Sequence, residues 1–148
     1  MGADIWSWAY TLEILPVLAH AAIVTIEATV ISFVIALVLG LLLAVLRMSG
    51  PVVGWFASAF VELVRSTPLL IQIFFIYFVL PRFGITLDAF TAGIIALSIH
   101  YGCYCSEVYR AGLEAVPRGQ WEACTALNFN SWNTFKNIIL PQAIPPIV

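Results

Sequence analysis

His100, Tyr104 and Glu107 stand at i, i+4 and i+7, a spacing that puts an imidazole, a phenol and a carboxylate on one face of a helix, continued outward by Leu97 and Gly93. Such groups can do acid–base chemistry, with His100 and Glu107 as acid and base, or they can line a polar passage. They lie within an apolar run, 90–108, where polar groups facing lipid are costly, so the stripe should face a bundle interior or a water-filled cavity. Hydrogen bonding between helices, with Glu107 emerging at the surface beside Arg110, is the plainer reading of the same residues. A second polar group, Arg65-Ser66-Thr67-Pro68, interrupts another apolar run. Pro68 removes a backbone donor and pushes Thr67 out of the α region, so the helix should break near Ser66 and Thr67. Broken helices at membrane depth line cavities or are buried in protein, which joins Ser66, Thr67 and Gln72 to His100, Tyr104 and Glu107 as candidate pathway residues. The alternative is a proline kink in a packed bundle, with Glu62 and Arg65 paired at i, i+3. Cys103, Cys105 and Cys124 form no CxxC pair, and the first two point to nearly opposite sides of a helix. They read as small buried hydrophobes, and no metal site is expected.

The elements that hold these residues follow from composition. Of 148 residues 62% are hydrophobic and 9% charged, with a mean hydropathy of +1.02, which describes an all-α integral membrane chain and excludes a nucleic-acid binder. No basic residue precedes Arg47, so the start lacks the charged region of a cleavable signal. Segment 1–21 mixes Trp6, Trp8 and Tyr10 with Asp4 and Glu13, is interrupted by Pro16, and suits a membrane–water interface. Expected spans are 22–46, with Glu27 snorkelling near its start; 55–80, broken at 66–68; and 90–109. A loop follows over 110–137. The segment 138–148 begins a further span that stops short, which suggests a partial sequence. Arg47, Arg110, Arg118 and Lys136 fall on one side of this arrangement and Arg82 on the other, Arg65 being left out as lying inside the second crossing. That asymmetry places the loop in the cytoplasm and the N-terminus outside.

The loop is the one long polar insert. Pro117 suits a helix start, 118–127 carries good helix formers, and Asn128 tolerates the left-handed conformation that ends many helices. Ala123, Ala126 and Leu127 give it a small, close-fitting face, Arg118 and Glu122 at i, i+4 a charged edge, and Gly119 a point of close backbone approach. A helix resting on lipid headgroups usually carries several Lys or Arg and larger apolar residues, so a protein partner fits better.

The order Glu122-Ala123-Cys124, three residues, Asn128, nine residues, Ile138, one residue, Leu140-Pro141 resembles the EAA loop of ABC importer permeases, with Cys124 for its second Ala and Asn128 for its Gly. Pro117-Arg118-Gly119-Gln120, Pro141-Gln142-Ala143 and the upstream run from Glu62 to Leu70 look like the polar amino-acid branch. Arg118 to Glu122 and Pro141 to Pro146 look most like permeases for ectoine and hydroxyectoine. The resemblance implies a type I ABC importer transmembrane subunit, with 22–148 its transmembrane domain, multi-pass in the cytoplasmic membrane. It also implies that Arg118, Gly119, Glu122, Ala123, Ala126 and Asn128 couple the chain to an ABC ATPase dimer. The further implied partners are a second permease subunit, identical or sister, a solute-binding protein and membrane lipid. The chain has no Walker A sequence, so no cofactor is expected on it, and ATP and magnesium belong to the ATPase. The expected activity is carriage of a small zwitterion, ectoine-like or a polar amino acid. An intramembrane enzyme using His100 and Glu107, or a passive channel, would need no coupling helix.

Overall fold

The computed structural model describes residues 7–145, and Asp4, Trp6 and the Pro146 end of the last expected span lie outside them. Helix α1 runs unbroken from Trp8 to Met48, capped by the Ser7 side chain. It therefore passes straight through Pro16 and through the expected boundary at 21–22. Helix α2 spans Pro51–Ser66 and α3 spans Leu69–Phe74, which continues as a π-helical turn, Phe75–Val79, and a 3₁₀ turn, Leu80–Phe83. Helix α4 covers Ala89–Glu114, α5 Arg118–Ala126 and α6 Ser131–Asn133. A π-helical stretch, Thr134–Ile139, then leads into α7, Leu140–Ala143. The expected boundary between a loop ending at 137 and a further span from 138 is absent. One helical run continues through both and is widened just before Pro141, which has no N–H to give the carbonyl four residues back.

Among the described residues two helices, α1 and α4, are long and apolar enough to cross a bilayer, and the pair Pro51–Ser66 and Leu69–Phe83 makes a third candidate, bent by 101° at its break. The frame is α1 against α4. Small residues meet along the seam: Ser32, Ala36, Gly40 and Ala44 on α1 face Ser98, Gly102, Cys103 and Ser106 on α4. Ser32 Oγ donates to the Ile94 carbonyl and Ser98 Oγ to the Ser32 carbonyl, both long at 3.5 Å. A Cβ on Gly40 would lie 2.6 Å from Cys105 Cβ and 2.9 Å from the Gly102 carbonyl oxygen, so the helices touch backbone to backbone there. Ser32 meets Ile94 and Ser98, Gly40 meets Gly102, and Arg47 meets Glu107, so the two helices run parallel. The chain between them must therefore return to its starting side.

That return is uneven. Val61 and Val64 pack on Leu43, one turn before Arg47, so α2 lies across the end of α1 instead of rising beside it. Segment Leu69–Phe83 makes the return, with Ile76 packed on Ala96 and Ala92. Asp88 then caps α4, its carboxylate accepting from the Thr91 N–H at 3.0 Å and the Thr91 hydroxyl at 2.6 Å. Those bonds hold the Asp88 carboxyl below the usual range, so the cap is complete above that range and is lost as pH falls through the lowered pKa. The outer faces of α1 and α3 stay rich in exposed Val, Ile, Leu and Phe, the surface a lipid solvent requires. The cysteines are unpaired, with Cys103 and Cys124 buried, as their reading as small hydrophobes anticipates.

Candidate functional site

The break falls where the sequence places it. Thr67 is extended at φ −102° and ψ 127°, and Pro68 follows at φ −56° and ψ 137°. In a continuous helix the Val64 carbonyl would bond the N–H of residue 68, which proline lacks. The Val64 carbonyl keeps the Thr67 N–H at 3.2 Å, and Gln72 adds the donor that Pro68 lacks: its Nε2 reaches the Val64 carbonyl at 2.7 Å and the Thr67 carbonyl at 2.9 Å, and also lies 3.1 Å from His100 Nδ1. Two carbonyl acceptors fix this amide's orientation, so His100 Nδ1 accepts and carries its proton on Nε2. Two N–H groups thus serve three acceptors. Gln72, expected on the solute pathway, spends its amide nitrogen on holding the break, and none of it is left for a solute. Ser66 and Thr67 likewise donate their hydroxyls to the Leu63 carbonyl, at 3.1 and 2.8 Å.

The stripe on α4 assembles as its spacing demands. The His100 and Tyr104 rings lie 5.1 Å apart, and the Arg65 guanidinium sits 5.0 Å over the Tyr104 ring, a cation–π contact. Tyr104 thus already holds a delocalised cation, one belonging to the protein. Below it Glu107 is a hub. Its Oε1 accepts from Arg65 Nη1 at 2.9 Å and lies 3.0 Å from Arg47 Nη1, while its Oε2 accepts from Arg110 at 2.9 Å. Arg110 also reaches Glu114 at 2.6 Å. Arg65 pairs with Glu107 across to another helix and not with Glu62 on its own, which corrects the i, i+3 reading. It also corrects the count of basic residues: Arg65 meets Arg47 and Arg110 at one carboxylate and so belongs with them at the basic end. Ser66 and Glu107, with Arg47, Ser58, Glu62 and Arg65, wall a cavity of about 440 Å³. Thr67 and Gln72 instead wall a second, apolar cavity of about 470 Å³ beside Val64 and Ile71.

Sequence reasoning missed Arg47 and Ser58, joined here by an Arg47 Nε to Ser58 Oγ bond of 3.0 Å. Arg47 reads in sequence as a span-end charge, and no periodicity links it to residues 60 positions away.

Helix α5 is the other half of the site. Val116, Ile139 and Ala143 form a small core that Trp121 joins, and Cys124 is buried. Arg118, Gly119, Glu122, Ala123 and Ala126 share the opposite, exposed face. A Cβ on Gly119 would meet nothing within 4 Å, so this chain's own fold does not require glycine there. The helix ends in a Schellman motif: the Phe129 N–H bonds the Cys124 carbonyl and the Asn128 N–H the Thr125 carbonyl, each at 3.0 Å, with Asn128 left-handed at φ 61°. Among the described residues no ion pair joins Arg118 to Glu122, so both charges point outward unpaired with each other.

Comparison with known proteins gives matches of three kinds. Residues 36–148 match the family described as binding-protein-dependent transport system inner membrane component. The chain is 46% identical over 141 residues to the "Probable amino-acid ABC transporter permease protein y4tG" of Sinorhizobium fredii, covering 95% of this chain and 61% of that protein. It is 40% identical to the L-cystine transport system permease protein TcyB of Bacillus subtilis, covering 89% of this chain and 58% of that one. The chain thus spans about three fifths of the length of these relatives. Among solved structures, one of an amino acid ABC transporter with histidines superposes with a TM-score of 0.87 at 35% identity, covering 96% of this chain and 67% of that chain.

Proposed function

Because this chain belongs to the family of binding-protein-dependent transport system inner membrane components, we propose that it is the permease subunit of an ABC importer for a polar amino acid. The observation that carries this is α5: a short helix whose inward side chains are locked and whose outward face is small, charged at one edge and exposed among the described residues. Such a helix is a lever for a partner. In this reading a separate ATPase dimer, which holds ATP and magnesium, grips Arg118, Gly119, Glu122, Ala123 and Ala126, while Asn128 sets the end of the grip. A second permease subunit completes the pathway and a solute-binding protein delivers the solute. The chain lies in the cytoplasmic membrane as a multi-pass protein with α5 on the cytoplasmic side and 22–148 as its transmembrane domain.

The site residues agree with transport over catalysis. Both Glu107 oxygens are held by arginines, so Glu107 does not stand ready as a base. For the solute, the relatives above are named for amino acids and cystine, and neither is named for ectoine, so the ectoine expectation has no support from them. The remaining hydroxyls, ring faces and balanced charges around Ser66, Thr67, His100, Tyr104 and Glu107 suit a zwitterion.

Two measurements test this. A single cysteine at Gln120 is expected to escape a membrane-impermeant thiol reagent in intact cells and to react after permeabilisation; ready labelling in intact cells would reverse the orientation. Uptake by the complete system is expected to need a competent ATPase and to be competed by polar amino acids. If ectoine alone competes, the amino-acid assignment fails, and if uptake survives an inactive ATPase, the importer reading fails with it.

A further inference from the structure

Glu107 Oε1 is approached by two arginines, and only one of them makes a well-aligned hydrogen bond to it. Arg65 Nη1 bonds it at 2.9 Å; Arg47 Nη1 lies at 3.0 Å, buried, yet off the line of a hydrogen bond and without any other acceptor. A buried donor left in this state is costly and is normally resolved by a partner. Across the same 440 Å³ cavity stands Glu62, one turn before Arg65 on α2, which takes part in no ion pair among the described residues. One carboxylate is therefore oversubscribed while its neighbour is unused.

We propose that Arg65 is a two-position latch, moving between Glu107 on α4 and Glu62 on its own helix as the transporter changes state, with Glu107 and Glu62 as its positioning residues. The exchange leaves neither arginine bare. When Arg65 turns to Glu62, at the i, i+3 spacing that pairs well on a helix, Glu107 keeps Arg110 on Oε2 and Arg47 takes the vacated Oε1. Because each arrangement keeps both arginines within ion-pair distance of a carboxylate, the two can lie close in free energy, as a switch between two states requires. The cavity gives the guanidinium room, and the break at Thr67 and Pro68 immediately beyond lets the end of α2 swing without unwinding a continuous helix. The latch also lies where motion must pass. Glu107 is two turns from the end of α4, which leads through Ala115, Val116 and Pro117 into α5, while Arg65 is the last charge before the bent return segment. Closing it ties the α5-bearing helix to the broken one, and opening it frees them. The inference rests on the permease reading above, since it assigns the latch to the transport cycle.

The assembled transporter in proteoliposomes tests it, with ATP hydrolysis and uptake measured in parallel. Glu62→Gln removes the second position and leaves every contact seen here intact. Uptake and solute-stimulated hydrolysis are expected to fall about fivefold, the scale of one partly exposed ion pair, with unchanged assembly and melting temperature. Glu107→Gln removes the first position, and hydrolysis is expected to lose its dependence on the solute-loaded binding protein, a ratio that a purely structural role would not move. Wild-type uptake in Glu62→Gln, or a lower melting temperature in that variant, overturns the latch. So does a wild-type ratio of stimulated to basal hydrolysis in Glu107→Gln. Should Glu107→Gln fail to assemble, the Glu62 arm decides alone. Absence of ATP-driven uptake in the wild-type complex is a different result, and removes the functional reading itself.

Discussion

Replacing Gly40 with leucine is expected to abolish the stable packing of α1 on α4. Even a methyl group at this position would sit 2.6 Å from Cys105 Cβ and 2.9 Å from the Gly102 carbonyl oxygen, and the second of these is backbone that cannot rotate away. The helices would have to separate, opening the whole seam from Ser32 to Ser106 and with it the Arg47 approach to Glu107. Overpacking of this kind costs about 1–3 kcal/mol in well-packed interiors, and rigid backbone on the far side puts Gly40→Leu at the upper end. Gly40→Ala is expected to be milder, and Cys105→Gly in the same chain to recover part of the loss by removing the nearer clash and leaving the carbonyl. Thermal denaturation in detergent measures the series. A Gly40→Leu protein that melts with the wild type would show that the helices are not in backbone contact.

The second large effect is expected outside the bundle. Gly119→Trp combined with Glu122→Lys should reduce uptake by the complete system by about a hundredfold, since a reversed charge or a bulky group on a docked edge costs several kcal/mol. Neither change disturbs this chain's own packing: both residues are exposed, and a Cβ at Gly119 meets nothing within 4 Å. Tryptophan is, if anything, a better helix former than glycine. Expression, melting temperature and solute affinity of the binding protein are therefore expected to hold while ATPase co-purification falls. Normal uptake by the double variant would remove α5 from the coupling path.

The break at Thr67–Pro68, the α4 stripe and the Asn128 helix end were all legible in the sequence, because each follows from local chemistry: a missing N–H, a helical period, a residue that tolerates positive φ. The uses of those features were less legible. Gln72 looks in sequence like any polar group on an apolar helix; its task of replacing the donor that Pro68 lacks appears only once Val64 and Thr67 are placed beside it. Arg65 reads as lying inside a crossing because 55–80 reads as one span, broken at 66–68 yet still crossing, whereas its two pieces meet at a bend of 101°. Arg47 was out of reach for a plainer reason, since pairing between residues 60 apart leaves no local trace. Helix α1 was drawn too short because Pro16 and the nearby charges look like a boundary, whereas the helix carries through them.

The parallel pairing of α1 with α4 also sets a clock on how the chain is made. Ser32 finds its first partner on α4 at Ile94, 62 residues later. At about 5–20 residues per second of synthesis, α1 has left the ribosome for about 3–12 s before the surface it packs against exists. During that interval α1 has only α2 to pack on, and its seam of Ser32, Ala36 and Gly40 lies bare to lipid or to whatever insertion factor shelters it. Its unbroken 41-residue length and scarcity of charge are what make such a wait survivable. The same weak seam that lets α4 approach so closely thus makes newly made α1 open to pairing with the wrong helix until α4 arrives.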